Sequence, residues 1–239
     1  YTMAKLVDAS GIDMILVGDS AANVMAGHST TLPITLDQMI YHGSSVVRGV
    51  ERAMVIVDMP FGSYQGDPYV GLQNAVRIMK ETGADGLKLE GGVRISEAIK
   101  LIINAGIPVV GHLGLTPQSV HQFGGFGLRA KEEAEAEQLL SDAQLLAELG
   151  VCALVLEKVP ASLAQKVSEM IAVPVIGIGA GADVDGQVLV LQDMLGMDES
   201  FRPKFVRRFA MLGEQITAGI SSYVSAVKDK SFPSQDESY

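Results

Sequence analysis

Apolar positions along this chain recur in two alternating patterns. Apolar residues three and four positions apart predict helices, and short unbroken apolar runs between them predict buried strands. Seven such runs occur: DMILVGDS (13–20), AMVIVDMP (53–60), GLKLEGG (86–92), PVVGHLG (108–114), ALVLEKVP (153–160), VPVIGIGAG (173–181) and QVLVLQDMLG (187–196). A helix ending at Gly11 shows Met3, Leu6 and Val7 on one face. Thr35 and Gln38 have the spacing of a capping box before a stripe of Leu36, Met39, Ile40, Val46, Val47 and Val50. Asp67 can cap, and Pro68 begin, a helix with Leu72, Val76 and Met79 inward and Gly83 at its end. Ile99, Ile102 and Ile103 mark a helix ending at Gly106. An acid-rich helix runs from about Lys131 to Leu149 over Leu139, Leu140, Ala143 and Leu146, and another carries Leu163, Val167 and Met170. Beyond Pro203 a helix is expected over about 203–228, with a flexible tail over about 229–239.

Strands alternating with helices imply parallel strands joined by right-handed crossovers. An open dinucleotide-binding sheet should carry G-x-G-x-x-G after an early strand, and no early loop has it. The α/β fold expected is therefore a (β/α)8 TIM-type barrel, one domain over 1–239. A closed barrel needs eight strands and seven can be counted, so the first is expected upstream of Tyr1. The helix after Pro203 is apolar over more of its circumference than one barrel face covers, which predicts packing on a second subunit.

Composition narrows the function. With 28 acidic against 18 basic residues the net charge is -10, which opposes nucleic acid or an anionic membrane and favours a small-molecule ligand. Residues 101–128 carry no charged Lys, Arg, Asp or Glu. Pro108, Pro117, six glycines, His112, Gln118 and other polar residues interrupt that run, so it cannot form a membrane span. Cys152, the one cysteine, reads as a buried inert thiol suited to a reducing cytoplasm.

The chemistry gathers at strand ends, where barrel enzymes build their sites: Asp19, Asp58, Lys88, Glu90, His112 and Glu157. Lys88 and Glu90, two apart on one strand, share a face. Each residue has a plainer alternative. Lys88 and Glu90 could be an internal ion pair, Asp19 a turn cap, Asp58 a loop former, His112 a core histidine and Glu157 a partner of Lys158; Gly177, Gly179 and Gly181 could cradle a phosphate or simply turn the chain. Three converging carboxylates repel, and a divalent cation relieves them; oxygen-only ligands favour Mg²⁺ over zinc.

The series VGDS, GHSTTLPITLDQMIYH, DMPFGSYQ, LKLEGG, GHLGLTPQSVHQFGGF, LVLEKVP and VPVIGIGAGADVDGQVLVLQDMLG, running to about Met197, resembles the ketopantoate hydroxymethyltransferase family in order and spacing. The resemblance implies a cytoplasmic (β/α)8 barrel of pantothenate synthesis that moves the methylene group of methylene-tetrahydrofolate onto 3-methyl-2-oxobutanoate, with Mg²⁺ and a homo-oligomeric, often decameric, assembly. It implies Asp19, Asp58 and Glu90 as metal ligands, Asp19, Ser20, Asp58 and Lys88 as keto-acid contacts, His112 beside the substrate and Glu157 as proton acceptor. Ala21 and Ala22, Phe126 and Lys158 depart from the family's usual residues. Two other readings follow from the same residues: an Mg²⁺-dependent carbon-carbon lyase or mutase of the isocitrate lyase or phosphoenolpyruvate mutase type, and a non-catalytic barrel scaffold.

Overall fold

The computed structural model describes residues 1–198 and 200–239. They form two compact units, Tyr1–Val188 and Leu189–Tyr239.

The first unit is built on seven parallel strands: β1 Met14–Val17, β2 Met54–Asp58, β3 Gly86–Glu90, β4 Val109–Gly114, β5 Ala153–Glu157, β6 Val175–Ile178 and β7 Gly186–Gln187. Their spatial order follows their chain order from β1 to β7. Strand order in a doubly wound sheet reverses at a switch point, and it does not reverse here, so the sheet is of the curled barrel kind. Alternation sorts the side chains onto two faces. Val55, Val57, Leu87, Leu89, Val109, Leu154, Leu156 and Val175 belong to the main core with the helices. Ile56, Val110, Ala153 and Val155 form a separate inner layer with Met14, Leu16, Ile176 and Ile178. Asp58, His112 and Glu157 lie two residues further along those inner-facing rows, and Lys88 and Glu90 on β3 are in register with Asp58, Val110 and His112. They continue the inner layer at the carboxyl ends of the strands.

Helix boundaries follow local chemistry. Thr35 and Gln38 make both bonds of the predicted capping box on Leu36–Val47. Asp67 caps Pro68–Thr82 through Tyr69 N–H, and Gly83 ends it in the left-handed conformation. Aspartates tie strand starts together: Asp85 accepts from Val55 N–H, Asp185 from Val175 N–H, and Asp8 from the N–H groups of Glu51, Arg52 and Ala53.

Several expectations are corrected. On Pro68–Thr82 Leu72 and Met79 pack against the core as expected, but Val76 is exposed and the most deeply buried stripe is Gly71, Ala75, Ile78 and Thr82. Gly71 lets Tyr64 and Ala98 approach closely, so the small residues take the inner face. On the first helix, Thr2–Ala9, Ala4 is buried while Met3 and Leu6 are exposed, because Ala4 faces Gly49. Cys152 is exposed at the start of β5, its thiol donating to the Val109 carbonyl. Of QVLVLQDMLG only Gln187 lies in a strand, and Leu191–Met194 is helical; an apolar run of this length does not by periodicity distinguish the two.

Within the second unit the long helix is Leu212–Lys228 rather than 203–228. Phe209 N–H bonds to the Met194 carbonyl and Leu212 N–H to the Leu195 carbonyl, while the Arg208 guanidinium donates to the carbonyls of Asp198 and Phe201. Those bonds take residues just before 212 out of the helical ladder. No helix among the described residues is long and apolar enough to cross a membrane.

Candidate active site

Strand register brings the candidates together. Asp58 pairs with Lys88 across β2 and β3, Glu90 with His112 across β3 and β4, and Gly114 with Glu157 across β4 and β5. Asp19 follows β1 immediately before the short helix Ala21–Val24, with Ser20 as its N-cap residue. Gly18 keeps this corner open: a Cβ there would stand 2.8 Å from Ser20 Oγ and 3.6 Å from Asp58 Oδ2.

Lys88 Nζ is the centre of charge compensation, 3.2 Å from Asp58 Oδ1, 3.7 Å from Glu90 Oε1 and 3.0 Å from His112 Nδ1. His112 carries the network outward, with Nδ1 3.3 Å from Glu90 Oε1 and Nε2 3.4 Å from Glu157 Oε2. A neutral imidazole can accept from Lys88 at Nδ1 and present Nε2–H to Glu157; a protonated one faces a carboxylate on each side. Both states direct Nε2 at Glu157. The Glu157 side chain is the more open of the pair, at 16% against 4% for His112.

Asp19, Asp58, Lys88, Glu90 and His112 are each no more than 6% exposed, so every charge here needs compensation. Burial, then the neighbouring Glu90 and Asp58 carboxylates, pushes the Asp19 carboxyl up to about 8. Burial also raises Asp58, although Lys88 and the Asp19 N–H oppose it. Burial pushes Glu90 upward too, but His112, Lys88 and the Gln118 N–H outweigh it and leave Glu90 below the usual carboxylate range. For His112, burial and Lys88 pull downward, and the Glu157 and Glu90 carboxylates more than offset them. Lys88 is held above its ordinary value because Asp58, Glu90 and Asp19 overcome the effect of burial.

The carboxylates share a pattern. One oxygen of each is tied back by an N–H: Asp58 Oδ2 by Asp19 N, Asp19 Oδ2 by Gln118 Nε2, and Glu90 Oε2 by Gln118 N, all at 2.9 Å. Asp58 Oδ1 and Glu90 Oε1 are buried and face only the charges of Lys88 and His112, Asp58 Oδ1 toward Lys88 and Glu90 Oε1 toward both, without a well-formed hydrogen bond. An all-oxygen set with unmade bonds and mutual repulsion has the donor chemistry of a hard divalent cation such as Mg²⁺. No group of three or more His, Cys, Asp or Glu among the described residues is already closed around one metal position. The fit is therefore one of donor type and orientation.

Asp19, Asp58, Lys88, Glu90, His112 and Glu157 thus form one connected cluster, while Ser20 borders it beside Gly18. The Glu157–Lys158 pairing is not adopted. Lys158 Nζ donates instead to the Phe126 carbonyl, and Lys158 itself takes a left-handed backbone with φ 46°. Its carbonyl accepts from Arg129 N–H, so both ends of this residue grip the glycine-rich loop. Gly179 and Gly181 take positive φ at a turn where Gln187 Nε2 donates to the Gly181 carbonyl, while Gly177 makes room for Val184 and Gln187. Sequence reasoning overlooked Tyr64 and Gln118, both buried between the acids. The available signal was a neutral Gln within the charge-free run 101–128.

The comparisons agree with this architecture. Solved structures of similar fold include 2,3-dimethylmalate lyase, a phosphoenolpyruvate mutase/isocitrate lyase superfamily member, with TM-score 0.58 at 15% identity over 99% of this chain and 82% of that one. Phosphonopyruvate hydrolase aligns with TM-score 0.60 at 11% identity and the same coverages. These relate the fold alone. In sequence, the chain is 63% identical over its full length to 3-methyl-2-oxobutanoate hydroxymethyltransferase of Flavobacterium johnsoniae and 64% identical to that of Bacteroides fragilis, covering 88% of each. The ketopantoate hydroxymethyltransferase family model matches residues 1–235, past Met197 where the motifs end. With that match and those full-length relatives, the chain belongs to the ketopantoate hydroxymethyltransferase family.

Proposed function

We propose that this chain transfers the one-carbon unit of methylene-tetrahydrofolate to 3-methyl-2-oxobutanoate, giving 2-dehydropantoate for pantothenate synthesis. The observation that carries the reading is the His112 link between Glu157 and the buried acid–lysine cluster, which puts a candidate base and a candidate anion site on one frame. Asp19, Asp58 and Glu90 would hold Mg²⁺, which when bound supplies Lewis-acid polarisation of the keto acid's oxygens. Ser20 and Lys88 orient the substrate, with the Lys88 ammonium set against negative charge developing on the ketone oxygen. Glu157 accepts the proton from the carbon beside the ketone, steadied by His112 Nε2. That carbon then bonds to the folate-borne methylene carbon as one of its two bonds to folate nitrogen breaks; the other breaks as water supplies the hydroxyl oxygen, and the proton taken by Glu157 and one from the water go to the two nitrogens.

A cytoplasmic homo-oligomer, decameric as the family often is, completes the proposal. The lyase reading fares less well, since the cysteine it favours, Cys152, stands at the start of β5, away from the strand ends that carry the cluster. The test is turnover of 3-methyl-2-oxobutanoate with methylene-tetrahydrofolate, with and without Mg²⁺. Metal-dependent formation of 2-dehydropantoate is expected, and its absence with both substrates present would overturn the assignment.

A further inference from the structure

Gln118 sits on a short 3₁₀ turn, Pro117–Ser119, that follows β4, and it is buried without being charged. All its side-chain hydrogen-bonding groups are engaged. Nε2 donates to Asp19 Oδ2 and to the Met59 carbonyl, both at 2.9 Å. Oε1 accepts from Tyr64 OH at 2.8 Å and from Gln65 Nε2 at 2.7 Å. Its backbone N–H donates to Glu90 Oε2 at 2.9 Å.

The amide can point only one way. The Met59 backbone carbonyl can only accept, so Nε2 must face it and Oε1 must face Tyr64 OH and Gln65 Nε2. Tyr64 reinforces the arrangement, because its hydroxyl also accepts from Glu90 N–H at 2.9 Å. One neutral residue therefore holds acids that come from the ends of two different strands. It occupies Asp19 Oδ2 and Glu90 Oε2, which leaves Glu90 Oε1 turned to the far side, toward Lys88 and His112.

Resting on the function proposed above, we propose that Gln118 is a positioning residue of the reaction: its side chain and backbone turn one oxygen of Asp19 and one of Glu90 back into the protein, so that the opposite oxygens address the keto acid and its metal. Glu cannot replace it, since a carboxylate would set an acceptor against the Met59 carbonyl. A merely structural glutamine would affect thermal stability alone.

The test uses Gln118→Leu, which removes the side-chain donors and keeps the backbone bond to Glu90, together with Gln118→Glu. The Leu variant should lose on the order of 10- to 100-fold in kcat/KM for 3-methyl-2-oxobutanoate, as loss of a residue orienting metal-binding groups does. Its KM for methylene-tetrahydrofolate should stay within about twofold, because only the keto-acid side of the site is disturbed. The Glu variant should be worse still. A readout independent of turnover is the rise in unfolding temperature on adding Mg²⁺, which should be smaller in Gln118→Leu than in the parent. Should Gln118→Leu fail to fold, Tyr64→Phe, which frees one side of the amide, should still give a loss of about 3- to 10-fold in kcat/KM, roughly the worth of one neutral hydrogen bond. Parent kinetics and a parent Mg²⁺ shift in Gln118→Leu, or in Tyr64→Phe where it stands in, would overturn the proposal. If the parent turns over neither substrate, the function reading falls, and an equal Mg²⁺ shift in parent and variant separately rejects the role of Gln118.

Discussion

His112 and Glu157 stand on neighbouring strands with Nε2 and Oε2 3.4 Å apart. The register explains the meeting: His112 pairs with Val155, so Glu157, two residues further along β5, points to the same inner face. Through His112 the more open carboxylate is joined to Lys88 and Glu90. An acceptor placed where substrate can reach it, backed by a buried imidazole, suits removal of a proton from carbon.

Replacing Glu157 with Gln keeps this shape and removes the acceptor. Keto acid should still bind, while proton exchange at the carbon beside the ketone falls by roughly two to four orders of magnitude. Proton NMR in heavy water without folate isolates that step from one-carbon transfer. Exchange at the parent rate would move the role of base to His112.

Asp58→Asn removes one of the acids facing Lys88 and a proposed cation ligand together. The Mg²⁺ concentration giving half-maximal keto-acid binding should rise by about tenfold or more. The folded state should persist, because a carboxyl whose ionised form is disfavoured by burial has been neutralised. Titration calorimetry at several Mg²⁺ concentrations measures the first effect, and an unchanged metal dependence would remove Asp58 from the ligand set.

Much of this site was legible because strand alternation is strict. Lys88 and Glu90 two residues apart had to share a face, and the apolar runs around Asp58, His112 and Glu157 located the other strand ends. Gln118 and Tyr64 escaped because they reach the acids from loops, where no period links sequence to direction, and because neutral groups give no charge signal. The exposure of Cys152 depends on its lying just before β5 rather than within it, a boundary that composition does not fix. The run 187–196 is apolar enough for either a strand or a helix. In the fold the Met194 and Leu195 carbonyls accept from Phe209 and Leu212 N–H, contacts distant in sequence that periodicity does not show.

On the helix Leu212–Lys228, Ile216, Ile220, Tyr223, Val224 and Val227 are exposed. Apolar residues at this density on one element predict a subunit contact. Sedimentation at micromolar concentration should find an oligomer, and Ile220→Asp should shift the distribution to smaller species. A parent that sediments as a monomer would count against the contact.

Asp8 makes a pH-dependent contribution. The N–H groups of Glu51, then Ala53, hold its carboxyl below the usual aspartate value of 3.8 despite the opposing effect of desolvation. A depressed folded pKa means that the stabilisation is present above the unfolded value and is lost as pH falls through the folded one. Asp8→Asn should therefore unfold at a lower temperature than the parent at pH 7, and the gap should narrow as pH falls below 3.8 and through the lowered folded-state value. A gap equally wide at acid pH would show that hydrogen bonding by the neutral side chain, and not ionisation, matters there.

Gly114 joins backbone conformation to the proposed base. It ends β4 with φ +88°, and a Cβ there would lie 2.3 Å from the Glu157 carbonyl oxygen and 2.7 Å from Val159 Cγ1. The neighbouring Leu115 N–H donates to that same carbonyl at 2.8 Å, so the tip of β5 is gripped at the point an added methyl would push away. Gly114→Ala combines left-handed strain with a backbone clash, worth about 1–3 kcal/mol of stability for the strain alone. Because Glu157 must move with its carbonyl, kcat should fall as well, by up to about 100-fold for a displacement near 1 Å. Gly66 is the control, with open space around the Cβ position and no positive φ, and its Ala variant should stay within about 0.5 kcal/mol of the parent. Thermal unfolding and steady-state kinetics on the two variants separate the effects. A Gly114→Ala enzyme that is destabilised yet turns over at the parent rate would show that the β5 tip yields without carrying Glu157 out of position.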